Sequence, residues 1–504
     1  MVDELVLEKI KKCIEDDRFE EAEILISNCY DKKATSKLAP LLALAKSYLG
    51  KYSEALEIFE IIINEERNQI PKIYDRLITC CTCLKLREKA FKYAGDFYKK
   101  YPENEDAMSH YIETMMYTGK IKEAEELCTS LLQKYPNFEK LWIRMGILVE
   151  LNYCNDELAK ECYEKVIELN PKNLSGYNNL AIVLSKLGDY KEAEKLYKHI
   201  LSVSPESCDV KKSLGLLYLK QRNFQEGYEN FVQRPLKGSE NNIKHFWNGE
   251  KTDELSVICD QGFGDHIQFI RYLPFIKEKA DRVNVYCYKG LTKLFENNYK
   301  HLENVSFFDD KGEFPDVPSV LLSNSAYFLG IDFDNIPFKN GYLKSDENKF
   351  ENYFDNKKIK VGVCWEAGAV EVRELIHKTI NIKYFEPLFD LAGESYEFYS
   401  FQNRPLNDYY KEYNMVDLGT KFENFEDTAS AMKNLDLLIT VDTANAHLAG
   451  AMGVKAIMLL PYCSDWRWFD NTEKTEWYDS VKIVKQQNGQ TWESEIQKVI
   501  SLLK

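Results

Sequence analysis

No excess of positive charge runs through these 504 residues: 66 Lys and Arg stand against 81 Asp and Glu, a net charge of −15. A nucleic-acid or anionic-membrane partner is disfavoured, because no basic surplus remains to neutralise phosphates. No uninterrupted apolar run approaches the ~20 residues of a membrane span, so no transmembrane segment is expected. The opening Met1-Val2-Asp3-Glu4 is acidic and does not read as a signal peptide. Cysteines number 13, yet paired spacing is missing: Cys80, Cys81 and Cys83 cluster in a helical repeat with no matching pair elsewhere. Buried thiols in a reducing cytoplasm are the better reading of them than a zinc site. With 44% hydrophobic and 29% charged residues, the chain reads as globular and long enough for about three domains.

What the chain does have is a repeat. A small residue recurs at Ala22, Ala55, Ala90, Ala124, Ala159, Ala193 and Gly227, in steps of 33 to 35. Turns such as Gly50-Lys51-Tyr52-Ser53-Glu54 and Gly188-Asp189-Tyr190-Lys191-Glu192 precede it, and Pro102, Pro136, Pro171 and Pro205 keep the same spacing. Such a pattern suits antiparallel helix pairs. Glycine or a polar residue makes the turn, the small residue lets the second helix approach the first, and proline stops it before the next unit. The seven copies resemble the tetratricopeptide repeat. An α-solenoid of this kind leaves an extended concave groove for a protein partner.

In nucleocytoplasmic O-GlcNAc transferases, which join similar repeats to a glycosyltransferase, an asparagine ladder lines that groove. The equivalent positions here are Leu41, Arg76, His110, Arg144, Asn179 and Ser213, with one asparagine among them. A sequence-blind clamp on peptide backbone is therefore not expected. Arg76, His110 and Arg144 read either as a surface for a specific, acidic partner or as ordinary exposed side chains.

After a connector containing Trp247-Asn248-Gly249, the period changes. The β-rich run Leu255 to Cys259 ends in Gln261-Gly262-Phe263-Gly264-Asp265, and a helical pattern follows at Ile267, Phe269, Ile270, Leu273 and Ile276. Strand, glycine-rich turn and helix open a Rossmann-like unit, with ligands expected at the strand's carboxyl end. Further strands are expected at 282–287, 304–308 and 319–322. A second α/β unit starts at Ile359 to Trp365. Strands are expected there at 396–401, 435–441 and 456–460, with a helix from Asn445 to Met452 entered through Asp442-Thr443-Ala444. Two such halves with a cleft between them make the GT-B plan.

Three pieces in this order resemble a family: Gly264-Asp265-His266-Ile267-Gln268-Phe269-Ile270-Arg271-Tyr272-Leu273-Pro274, Asp442 to Gly450, and Pro461 through Asp465-Trp466-Arg467-Trp468. They look like bacterial repeat-linked glycosyltransferases related to the heptosyltransferase-like family nine, and the resemblance covers nearly the whole chain. It implies a tetratricopeptide solenoid at 1–235 that binds the acceptor. It further implies an acceptor-side Rossmann-like half at 250–345 and a nucleotide-sugar half at 358–504, together a GT-B enzyme.

For each residue a structural reading stands beside the functional one. Asp265 reads as a helix N-cap or, by the resemblance, as the general base on the acceptor hydroxyl, with His266 beside it sharing that duty. Asp442-Thr443-Ala444 reads as a plain cap or as an anion site made by backbone N–H groups and the helix dipole; the resemblance implies that the donor diphosphate lies on the Thr443 and Ala444 backbone, with the Asp442 carboxylate on the sugar. His447 either faces the phosphates or packs as a helix histidine. Lys378, before Thr379, occupies the place of a basic residue in the family, with Arg373 as a weaker candidate; such a cation neutralises charge on the leaving diphosphate. The family often shows Arg-Ser there, and the acidic stretch Glu366 to Glu374 is a second departure. Gln402 and Phe401 reach the base or ribose, or Phe401 is a buried aromatic. Trp466, Arg467 and Trp468 wall the cleft or pack the core. No Asp-x-Asp pair lies near the cleft, so a metal is not expected.

The leading expectation is a cytoplasmic, inverting, metal-independent glycosyltransferase that needs no cofactor beyond its nucleotide-sugar substrate, with UDP-GlcNAc as a candidate donor. The acceptor would be Ser or Thr of a bacterial protein such as flagellin, which similar repeat-linked enzymes modify. Two alternatives stay open: an inactive repeat-based adaptor, and an enzyme acting on a glycan or lipopolysaccharide acceptor.

Overall fold

The computed structural model describes all residues except 1–3, 30–34, 65–69, 154, 355–356, 369–377, 394, 404–412, 471–472, 488–490 and 504. The chain divides into two compact units, Met1–Val183 and Leu184–Lys504.

A helical solenoid fills roughly the first 230 residues. Its described helices run from Glu4–Glu15 to Phe224–Phe231 as consecutive pairs. The recurring alanines are buried at the pair contacts, at 0–2% exposure from Ala22 to Ala193. At Gly227 a Cβ would lie 2.7 Å from Leu219 Cγ, so glycine is what lets that helix close on its partner. The turn before each second helix needs a left-handed residue. In six of the seven repeats the described residues include one, Asp17, Gly50, Lys85, Gly119, Gly188 and Arg222, with φ of +57° to +85°. Glycine does this without strain and appears at three of the six.

The polar residues of the groove make contacts within the solenoid. Arg76 donates to the hydroxyl and the carbonyl of Ser47, both at 3.1 Å, and lies 4.2 Å over the Tyr48 ring. His110 Nε2 meets Asp75 Oδ1 at 2.8 Å. Arg144 donates to Ser109 at 2.9 Å and reaches both oxygens of Glu113, at 3.0 and 2.9 Å. These cations pin one repeat to the next. His110 and Arg144 meet carboxylates there, and Arg76 meets neutral groups.

The second unit begins with the last helices of the solenoid, Tyr190–Val203, Cys208–Lys220 and Phe224–Phe231. A parallel-sheet α/β region follows. Strands β1 (Thr252–Ile258), β2 (Ala280–Cys287), β3 (Val305–Asp309) and β4 (Ser319–Leu321) form one sheet in the order β3-β2-β1-β4. Strands β5 (Ile359–Cys364), β6 (Tyr396–Ser400), β7 (Val416–Asp417), β8 (Leu437–Val441), β9 (Ala456–Leu460) and β10 (Val481–Lys485) form a second, in the order β10-β9-β8-β5-β6-β7. All ladders between these strands are parallel. In each sheet the first strand has neighbours laid down on opposite sides, β2 and β4 around β1, and β6 and β8 around β5. That reversal opens a crevice at the carboxyl ends, where ligands bind in open α/β sheets. Two strands were not expected. β7 has only two residues, and β10 alternates Lys482 and Lys485 with apolar residues at a sheet edge, which blurs the apolar signal while protecting the edge.

A buried cation ties the two sheets together. Arg271, wholly inaccessible, donates to the carbonyls of Gln268, Pro337 and Trp477 and to the Tyr342 hydroxyl, among the rings of Tyr342, Trp477 and Tyr478.

Candidate functional site

The turn after β1 is over-determined. Asp260 is buried and accepts from Arg234 at 2.6 Å, from the Ser323 hydroxyl at 2.6 Å and from the Ser323 N–H at 2.9 Å. Gln261 then takes φ +71°, a conformation that costs about 1–3 kcal/mol outside glycine and persists only where its surroundings enforce it. Gly262 caps helix Phe263–Phe269, and Asp265 falls in the first turn. Its Oδ2 accepts the Gly262 N–H at 3.0 Å, and its Oδ1 pairs with Arg467 Nη2. The cap reading of Asp265 thus describes one oxygen; the other faces a cation carried from 202 residues away. His266 is buried with neither ring nitrogen bonded among the described residues, and its ring lies 4.4 Å from that of Tyr288. Burial pushes its pKa down to about 4, so the imidazole is neutral near pH 7.

The turn after β8 faces this one. Thr443 is the N-cap of helix Ala444–Met452, with extended φ and ψ of −140° and 174°, and Thr443 to Asn445 are half-buried. The first N–H groups of any helix lack a carbonyl four residues back, so those of Ala444 and Asn445 are directed outward from the helix end with the positive dipole pole behind them. Lys378 Nζ lies 2.9 Å from Asp442 Oδ2, an ion pair by distance although its direction is poor for a hydrogen bond. Thr379 is half-buried beside it, its hydroxyl without a hydrogen-bond partner among the described residues.

Gly264 brings the two turns together. A Cβ there would meet His447 Cδ2 at 2.8 Å and Ala444 Cα at 3.6 Å, so the two helix starts touch only because residue 264 has no side chain. His447 is the spacer. Its Nδ1 meets the Tyr478 hydroxyl at 2.9 Å, its ring stacks on Trp468 at 5.1 Å, and burial pushes its pKa down to about 3. It packs as a helix histidine, neutral, under the site.

Gln402 is nearby but occupied. Its amide accepts from the Glu366 N–H at 3.1 Å and donates to the Glu366 carbonyl at 3.2 Å, which fixes the loop leaving β5. Phe401 is buried and packs 5.3 Å from Phe422. Arg373 and most of the acidic loop lie outside the described residues.

Arg467, which the sequence leaves open between walling the cleft and packing the core, is the hub. Arg467 donates through Nη2 to Asp265, through Nη1 to Asp465 at 2.8 Å and through Nε to Gln268 at 3.0 Å, with its side chain only 11% exposed. Its carbonyl accepts from Trp477 Nε1 at 2.7 Å. Burial pushes Asp465 up, but Arg467 and Lys378 outweigh it and hold the carboxyl at about 2. Burial also pushes Asp265 up, and there it prevails over Arg467 and the Gly262 N–H, so this carboxyl stays above the ordinary 3.8. Lys378 and Arg467 therefore share one cleft with Asp265, Asp442 and Asp465, and Asp265 and Asp465 differ in basicity. Unequal basicity is what separates a proton acceptor from fixed counter-charges. The one sequence signal was Asp465-Trp466-Arg467-Trp468 itself, a charged pair set among aromatics.

A solenoid of tetratricopeptide type followed by a parallel-sheet α/β region is thus the class of protein that the fold defines. The tetratricopeptide repeat family matches residues 162–195. Protein FlbA of Caulobacter vibrioides is 21% identical over 519 aligned positions, which cover 92% of this chain and 83% of that protein. The human protein O-mannosyl-transferase TMTC3 is 28% identical over 131, covering 26% of this chain and 13% of that protein. Among solved structures, a thermophilic tetratricopeptide-repeat protein of Thermus thermophilus, TTC0263, aligns at a TM-score of 0.33 and 18% identity, over 36% of this chain and 97% of that one. Among the described residues no helix is long and apolar enough to cross a membrane.

Proposed function

We propose that this chain is an inverting glycosyltransferase of GT-B type that moves a sugar from a nucleoside diphosphate sugar to a hydroxyl of a protein. In this reading residues 1–235 bind the acceptor, 250–345 supply the base, and 358–504 hold the donor. The carrying observation is the contact at Gly264, which sets the Asp265 turn against the Thr443–Ala444 helix start with Lys378 and Arg467 in the same cleft. One turn offers a carboxylate of raised basicity; the other offers outward N–H groups and a cation, which is what a leaving diphosphate needs. Asp265 takes the proton of the acceptor hydroxyl, with His266 behind it. The oxygen attacks the anomeric carbon as the bond to the diphosphate breaks on the opposite face, so the configuration inverts. Asp442 holds the sugar, and Thr379 and Gln402 line the donor side.

Two things support a protein acceptor: repeats of a kind that bind proteins, and the O-mannosyl-transferase among the relatives. Flagellin is a candidate acceptor and UDP-GlcNAc a candidate donor. The test is co-expression with candidate acceptors followed by intact mass, together with thermal shifts in UDP, GDP and ADP. A hexose, hexosamine or heptose increment on a protein supports the reading and names the sugar class. No increment and no shift from any nucleotide at millimolar concentration would favour the adaptor; an increment on a glycan or lipopolysaccharide would move the acceptor.

A further inference from the structure

We infer that Arg467 is a phosphate ligand for the donor, and that it takes up the phosphates by letting go of Asp265, so that the donor unmasks the base. The inference rests on the glycosyltransferase reading only in naming the ligand a nucleoside diphosphate. Both oxygens of Asp265 are engaged: Oδ2 by the Gly262 N–H, Oδ1 by the guanidinium. The guanidinium works against the burial that raises this carboxyl, so its departure leaves Asp265 a stronger base with a free oxygen. The guanidinium is built for transfer. Its backbone is anchored by Asp465 and Trp477, and Nη1 stays on Asp465, while Nη2 holds Asp265 alone. Lys378 and Asp442 repeat the arrangement on the other side of the cleft. Among the described residues both cations already hold carboxylates, which stand in the way of an entering diphosphate. Its oxygens must replace carboxylates on the cations, and a planar guanidinium suits a phosphate as well as it suits a carboxylate. The consequence is an order: donor first, base freed second, acceptor last.

The test is titration calorimetry of the full chain with UDP, GDP and ADP, in a double-mutant cycle. Asp265→Asn removes the competitor for Nη2. The nucleotide that binds the wild type should then bind tighter, by about 5–150-fold, the usual range of coupling between two sites. Arg467→Gln should weaken binding, and in that background Asp265→Asn should change affinity by less than about twofold. Circular dichroism checks folding; should Arg467→Gln fail it, Arg467→Met takes its place in the cycle. Unchanged affinity in Asp265→Asn overturns the inference. So does an equal gain in both backgrounds, because the carboxylate would then merely repel phosphate. If no nucleoside diphosphate binds any variant, the donor reading itself has failed, which is a different result from a cycle without coupling.

Discussion

A methyl group added at Gly264 has nowhere to go. Its carbon would lie 2.8 Å from Cδ2 and 3.4 Å from Nε2 of His447, and 3.6 Å from Cα of Ala444. His447 cannot swing aside, since Tyr478 holds its Nδ1 and Trp468 covers its ring. Helix Phe263–Phe269 must therefore retreat from helix Ala444–Met452 by roughly half an ångström to restore ordinary contact. Overpacking of this kind costs about 1–3 kcal/mol. Alanine recovers about 1 kcal/mol over glycine inside a helix, so the net loss of stability is small, on the order of 0–2 kcal/mol. On the proposed function activity falls further, because the retreat separates Asp265 from the helix start at Ala444, and a misplacement approaching 1 Å costs up to ~10²-fold. Gly264→Ala should melt within a few degrees of wild type yet turn over the donor roughly 10- to 100-fold more slowly, by transfer or by hydrolysis. Gly95→Ala, in a solenoid helix where the new carbon would meet Tyr111 at ordinary distances of 3.5 and 4.0 Å, is the control. A Gly264→Ala protein that turns over like wild type refutes the contact, and with it the cleft.

Asp265→Asn should keep the fold and lower turnover by about 10²–10⁴, the range of a general base; in the wild type the acid limb of kcat/KM should lie above pH 3.8, because burial raises that carboxyl and activity is lost as pH falls through the raised value. Lys378→Met should weaken nucleotide binding at least tenfold in calorimetry by removing the cation beside Asp442; unchanged affinity would place the diphosphate elsewhere. Activity should survive EDTA, since cationic side chains and a helix start take up the leaving charge; loss that manganese restores would contradict this. In the solenoid, burial opposes charge on His110, Asp75 and Glu113, but their mutual contacts and Arg144 prevail, raising the histidine and lowering both carboxyls. The carboxylates stabilise above their ordinary 3.8 and 4.5, and the histidine stabilises below its ordinary 6.5. The network is therefore at full strength between about pH 4.5 and 6.5, and His110→Gln should flatten the melting temperature most in that window.

The repeats were legible because each needs the same small residue at the same closing contact, from Ala22 to Gly227. Both strand–turn–helix turns were legible for a similar reason: Gly262-Phe263-Gly264-Asp265 and Asp442-Thr443-Ala444 state a local geometry in consecutive residues. What escaped was non-local. Nothing in the sequence near Arg467 says that its guanidinium ends on a carboxylate 202 positions earlier. Nor does Arg144 announce that Glu113, in the preceding repeat, already takes its charge. Gln402 has a residue type suited to a nucleobase, yet its amide serves the backbone of Glu366. In each case the partner is distant in sequence, so no local pattern states the contact.

The last hairpin of the solenoid, Cys208–Lys220 and Phe224–Phe231, belongs with the α/β region. Phe224 is buried among Phe333, Trp466, Phe469 and Trp477, and Arg222 and Lys220 reach Glu476 and Asp470. Stacked repeats depend only on their neighbours, so whole units can be gained or lost upstream at little cost. The final hairpin has no such freedom, since it walls in the turn that carries Arg467. Over evolutionary time the reach of the solenoid is free to lengthen or shorten as partners change, while its last two helices must be inherited with the α/β region as a single piece.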